Sequence, residues 1–114
     1  MDEARAADQA ERAVELLRQI LRERGSDARA PLAGMTLGRM LLTELHRPRE
    51  AAAAFAEVRA RGAAEPFAED AWAREVEAWA QAGERERARA LANGYLARYG
   101  ESRFASRVRA VAGL

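Results

Sequence analysis

The chain has no cysteine and no lysine, only three prolines, one histidine and no long apolar run. Without cysteine, disulfides, thiol catalysis and thiolate–metal sites are excluded; the redox compartment goes unmarked, because a thiol-free chain suits either side of a membrane. A single histidine leaves one candidate base for a Ser–His–acid triad. That residue, His46, stands in a turn before Pro48 with no serine beside it, and reads as a plain turn residue. The serines are Ser26, Ser102 and Ser106, of which the first two read as helix caps. Carboxylates at helical i,i+4 spacing, Glu11/Glu15 and Glu65/Glu69, have no histidine partner and read as solvated faces, not a di-metal site. Neither a GxGxxG nor a GxxxxGK(S/T) phosphate loop is present. The expectation is a non-enzymatic chain with no catalytic residues, no metal site and no cofactor.

No apolar stretch approaches the ~20 residues of a membrane span. Uncharged segments such as Ala30–Gly38 and Ala51–Ala56 fall far short of that, so no membrane insertion is expected. The first ten residues include Asp2, Glu3, Arg5 and Asp8 and carry no signal-peptide pattern. The expected compartment is cytoplasmic for a complete chain, and periplasmic or envelope-associated for a piece of a longer protein. All 19 basic residues are arginine, which beside so much alanine reads as the coding bias of a GC-rich bacterial genome. Net charge is +1, with no global attraction to nucleic acid or anionic lipid. Charge is nevertheless uneven: residues 63–82 carry −4 and residues 83–114 carry +4. Two solvated faces account for this, and so does an electrostatic handle for a polar partner or for head-to-tail association of copies through charge-asymmetric ends. Nucleic acid is not expected, since the basic segment lacks a reader motif.

What the chain does have is helical periodicity. Pro48 and Pro66 read as first-turn residues and Pro31 as slightly later in a helix capped by Ser26 or Asp27; Gly25, Gly62, Gly83 and Gly100 fall where helices stop. Six helices are predicted, roughly 3–24, 28–45, 48–61, 66–82, 84–99 and 102–112. Ala10, Ala13, Val14, Leu17, Ile20 and Leu21 repeat near 3.6 in the first, and Trp72, Val76 and Trp79 form one stripe of the fourth. Asn93-Gly94 interrupts a helical stripe and is expected to weaken the fifth helix without ending it. Gly34-Met35-Thr36-Leu37-Gly38 has small-xxx-small spacing and reads as close packing of the second helix on a neighbour. Short connections make successive helices antiparallel neighbours. The fold class is therefore all-α, one domain of about six helices.

The odd-numbered helices repeat. Glu11-Arg12-Ala13, Arg49-Glu50-Ala51 and Glu86-Arg87-Ala88 align, followed four residues on by Leu17, Phe55 and Ala92 and three further by Ile20, Val58 and Tyr95; the alanine anchors lie 38 and 37 residues apart. The segment Trp72–Gly100 resembles a tetratricopeptide (TPR) repeat at Trp72, Trp79, Gly83 and Ala88. The middle repeat carries Leu37-Gly38, Leu41, Ala51 and Phe55, with one extra residue in the inter-helix turn and His46 where the family usually has glycine. The first repeat is represented only by its second helix. The resemblance covers nearly the whole chain and implies antiparallel helix-turn-helix repeats stacked as an α-solenoid, with helix six as a polar cap. From Pro66 onward the chain also resembles repeat tails of bacterial envelope proteins, namely outer-membrane assembly lipoproteins and FecR-type regulators.

What the resemblance implies for function is a protein–protein interaction scaffold, holding a peptide or helix of a partner along a groove lined by first helices. Its positions map to Leu32, Met35, Arg39 and Leu42 in the middle repeat and to Asp70, Ala73 and Glu77 in the last. This is not the lysine/asparagine/arginine clamp that grips acidic C-terminal peptides; a mixed apolar and charged groove suits an amphipathic helix or an extended segment. The alternative is a structural or self-associating spacer in a larger protein, with the same residues packed on an adjoining domain.

Overall fold

The computed structural model describes residues 2–114, and they are all-helical, in six helices. These are α1 (Asp2–Glu23), α2 (Ala30–Arg39), α3 (Pro48–Ala60), α4 (Phe67–Gln81), α5 (Arg85–Tyr99) and α6 (Ala105–Ala112). None of them is long and apolar enough to cross a membrane. The predicted second helix, 28–45, is one run whose last part, Met40–Glu44, widens into a π turn. The Leu45 N–H reaches back to the Met40 carbonyl at 3.1 Å and the Arg47 N–H to that of Leu41 at 2.7 Å. The helix thus ends in a π bulge. It leaves Leu41 and Leu42 buried side by side.

Pro48 opens α3 and Pro31 sits in the first turn of α2, where a missing N–H leaves no helical bond unmade. Pro66 precedes α4 by one residue. Two predicted caps act just ahead of their helices: the Asp27 carboxylate accepts the Arg29 N–H at 2.8 Å before α2, and the Ser102 hydroxyl accepts the Phe104 N–H at 3.3 Å before α6 while donating to Glu69. Gly62 and Gly83 take the left-handed φ expected of helix stops, 76° and 80°, whereas Gly25 and Gly100 do not. His46 adopts φ 53°, the conformation for which glycine is the usual residue.

Successive helices pack in pairs, α2 on α3, α3 on α4 and α4 on α5, while α6 lies across both α4 and α5. The close approaches use small residues. A Cβ on Gly38 would stand 2.6 Å from Phe55 Cζ, and one on Gly34 2.6 Å from Val58 Cγ2, so α2 and α3 meet at the GMTLG segment as its spacing suggested. Gly94 lies inside α5 where the Trp72 ring presses, and α5 runs through it unbroken.

Two apolar clusters result. The first gathers Val14, Leu37, Leu41, Leu42, Ala51, Ala52, Phe55 and Ala78. The second gathers Val76, Ala88, Ala92, Tyr95, Val108 and Ala112. Helix α4 feeds both, and Trp79 packs against both.

Candidate functional site: a cleft between α1 and α3

Helix α1 rests on α2 and the π turn but splays from α3. The gap is a cleft of about 680 Å³. Its floor is α2, through Pro31, Gly34, Leu37 and Leu41; one wall is α1 with Arg18, Leu21 and Arg22, and the other is α3 with Glu50, Ala53, Ala54, Glu57 and Val58. The volume is within the ~300–1,000 Å³ of ligand and anchor pockets. Small side chains create it: Ala53 and Ala54 are too short to fill the space between helices, and the long residues around them span it without filling it.

Two arginines do the spanning: the Arg18 guanidinium pairs with Glu50 at 2.9 Å, and the Arg61 guanidinium donates at 3.4 Å to the Leu21 carbonyl near the C-terminus of α1; outside the cleft, Arg47 pairs with Glu11. Arg61 also holds Glu57, at 2.9 Å. A cation at a helix C-terminus offsets the negative end of its dipole. Each exposed pair contributes at most about 1 kcal/mol, so α1 is tethered loosely along the cleft while its apolar edge carries the packing. The α1 wall presents Arg18 and Arg22 and the α3 wall Glu50 and Glu57, with an apolar floor between them. Such a surface accepts one or two apolar side chains and offers charge of either sign to whatever carries them.

The groove mapped from the repeat pattern falls elsewhere. Leu32 is 59% exposed and Arg39 is exposed, Met35 is half-buried against the first cluster, and Leu42 is 5% exposed inside it. Leu42 packs inside the first cluster, so it has no surface to offer a partner. Asp70, Ala73 and Glu77 do come together, but against α6: they line a cavity of about 230 Å³ with Phe104, Arg107 and Val108. Asp70 is held by Arg74 at 3.3 Å and Glu77 by Arg107 at 3.0 Å. Among the described cavities, none joins this α4 set to the α2 set. The cleft went unread in the sequence; its one signal was the alanine run Ala51–Ala54, of which two residues face the core and two face the gap.

The acidic residues of segment 63–82 bond to neighbouring helices, and one of them, Glu77, pairs with an arginine of the basic segment, Arg107. Acidic α4 lies against α3, α5 and α6, not at a free end. Glu75, 6% exposed, accepts hydrogen bonds from the Arg59 guanidinium at 2.6 Å and the Trp79 indole N–H at 3.1 Å. Glu69 accepts from the Tyr95 hydroxyl at 2.7 Å and from Ser102, and Glu65 from the Tyr99 hydroxyl at 2.6 Å. Burial and then the Glu69 hydrogen bond push the Tyr95 phenol up to about 12. Trp72 meets Tyr95 and Tyr99 edge-on, and its indole N–H donates to the Leu91 carbonyl at 2.9 Å. These polar groups have partners and read as joints between helices, not as reacting groups.

Comparison with family models, with curated proteins and with solved structures finds no match for this chain.

Proposed function

We propose that this chain is a protein-binding module of the tetratricopeptide kind, a stack of antiparallel helix pairs that holds a segment of another protein. The observation that carries the binding reading is the cleft, an apolar floor of partner-sized volume between walls of arginine and glutamate. An amphipathic helix or extended segment that inserts a leucine- or phenylalanine-sized anchor matches it. The repeat reading is supported by a correspondence of turns: His46 and Gly83 both take left-handed φ, 37 residues apart, the same interval as their following anchors Ala51 and Ala88. Both anchors are buried.

A photo-crosslinking residue at Ala53, with Glu86 on α5 as the remote control site, tests this. One partner captured at Ala53 and not at Glu86, and lost at least about tenfold when Ala54→Trp fills the cleft, is the expected result. Capture indifferent to Ala54→Trp in a variant of unchanged helicity counts against it. The α2 face is tested in the same assay with Leu32→Glu/Arg39→Glu, which leaves the buried Leu42 untouched.

A second reading, a self-associating or spacer module of a larger and possibly envelope-associated protein, is favoured by a separate observation: the outer face of α1 carries large apolar side chains that nothing covers.

A further inference from the structure

Trp72 of α4 sits half-buried among five residues of α3 and α5. The Arg59 guanidinium lies over its ring at 4.8 Å, and Tyr95 and Tyr99 meet it edge-on at 6.2 and 5.9 Å. Gly94 lies against the ring, and the Leu91 carbonyl accepts its N–H at 2.9 Å. The repeat interval gives each of the five a counterpart. Leu21 of α1 stands 38 residues before Arg59; Ala54, Glu57, Val58 and Gly62 stand 37 residues before Leu91, Gly94, Tyr95 and Tyr99. All five counterparts line the α1–α3 cleft.

Packing supports the same register. Gly34 of α2 faces Val58 of α3, and Trp72 of α4 faces Tyr95 of α5; Val58 and Tyr95 each follow their anchors, Ala51 and Ala88, by seven residues. The position of Trp72 thus falls to Gly34, which has no ring to give. There α2 lies directly on α3, and the room between these five residues opens toward α1 and solvent. Val58 and Gly62, where the other repeat has two tyrosines, widen it. What lines the cleft is therefore the counterpart of an aromatic seat. Leu21 in place of Arg59 offers it an aliphatic face, and the carbonyl matching that of Leu91 belongs to Ala54.

Charge narrows what carries the ring. Each carboxylate of the cleft already holds an arginine: Glu50 with Arg18, Glu57 with Arg61 and Asp27 with Arg29. Among the described residues, Arg22 is the one cleft arginine in no ion pair. The charge left to offer is positive, which favours an acidic neighbour. We propose, resting on the cleft reading above, that the α1–α3 cleft seats one indole-sized aromatic side chain of the partner, carried beside a carboxylate that pairs with Arg22.

Nuclear magnetic resonance titration of the isotope-labelled chain with N-acetyl-tryptophan tests this. The expected result is a Kd of about 0.1–1 mM, with shifts at the Gly34, Ala54 and Val58 amides and none at Glu86. N-acetyl-leucine should bind at least about fivefold more weakly, for want of a ring. N-acetyl-tryptophanamide, the same ring without the carboxylate, should bind about two- to fivefold more weakly. Arg22→Gln, at an exposed position, lowers affinity for the acid by that factor and leaves the amide unchanged. Ala54→Trp, which sets an indole in the cleft from its own wall, removes the shifts in a variant of unchanged helicity. N-acetyl-leucine binding as tightly as N-acetyl-tryptophan overturns the aromatic assignment and leaves the cleft reading standing. An amide as tight as the acid, or an acid indifferent to Arg22→Gln, overturns the carboxylate pairing. No shift at the three cleft amides up to about 5 mM overturns the proposal as a whole, while capture at Ala53 still decides the cleft reading by itself.

Discussion

Gly38 and His46 show how much of this protein rests on single backbone positions. Gly38 is buried where the fully buried Phe55 ring crosses α2, with no room for a methyl group. Gly38→Ala gains about 1 kcal/mol of helix propensity and loses more to overpacking, about 1–3 kcal/mol; a net destabilisation of about 1 kcal/mol is expected in urea denaturation. His46 runs the other way. An L-residue at φ 53° carries about 1–2 kcal/mol of local strain, and glycine would relieve it at the expense of about 0.5–1 kcal/mol of unfolded-chain entropy. His46→Gly is therefore expected to raise stability by about 0.5–1 kcal/mol, read as a higher denaturation midpoint at unchanged slope. The sequence alone marked both residues, because a small residue at a packing position and a non-glycine at a turn are local signals. It placed Asp27 and Ser102 at helix starts, and each side chain does accept a backbone N–H two residues on, in the turn just before α2 and α6. The Ser102–Glu69 bond to α4 was not legible, because it joins residues far apart in the chain.

Among the helices, α4 is the joint. Its acidic residues reach α3 through Glu75, α5 and the turn before α6 through Glu69, and α6 through Glu77, while Glu65, just ahead of it, accepts from Tyr99 of α5. Tyr95 makes this measurable. Its phenol titrates near 10 in an unfolded chain and is pushed up to about 12 in the fold by burial and by donating to Glu69. Between those values the unfolded state binds fewer protons than the native one, so stability falls as pH rises. The loss begins near pH 10, is complete above about 12, and amounts to about 2–3 kcal/mol from this group. Burial and Glu65 raise Tyr99 in the same direction. Tyr95→Phe is expected to flatten the alkaline slope of thermal or urea stability above pH 10, while lowering stability near neutral pH by about 1 kcal/mol for the lost hydrogen bond. The alternation of an acidic and a basic segment was plain in the sequence. That the two lie against each other, joined by the Arg107–Glu77 pair and by hydroxyl bonds to Glu65 and Glu69, follows from α4 being flanked by its neighbours on several sides.

The molecule as a whole has two apolar clusters and one helix common to both. Ala78 of α4 belongs to the first and Val76 to the second, with Trp79 packed against each. Helical stacks divide their stability between units and the interfaces that couple them. Here the coupling runs through core side chains two residues apart on one helix, and a single cooperative transition is expected. Trp72→Phe and Trp79→Phe variants each leave one indole reporter, and their fluorescence midpoints should coincide with the loss of far-ultraviolet ellipticity. Distinct midpoints would show that the two halves unfold separately. Slowest to exchange amide protons should be the buried turns of α3 and α4, and fastest the first two turns of α1, whose residues 2–9 are all exposed.

Helix number, approximate helix ends, the turn at His46 and the tight α2–α3 crossing were all legible in the chain itself. Each depends on interactions within a few residues: a 3.6-residue apolar period, a proline with no N–H to give, a glycine spacing. The side on which the stack opens was not. The cleft exists because α1 and α3, some 35 residues apart, diverge over a run of alanines, and which alanines face the gap depends on how α3 rolls against α2 and α4. The burial of Leu42 is decided in the same way, by the packing of α3 and α1 around it in the first cluster. Local propensity sets the elements, and packing between residues distant in the chain sets the faces they leave open.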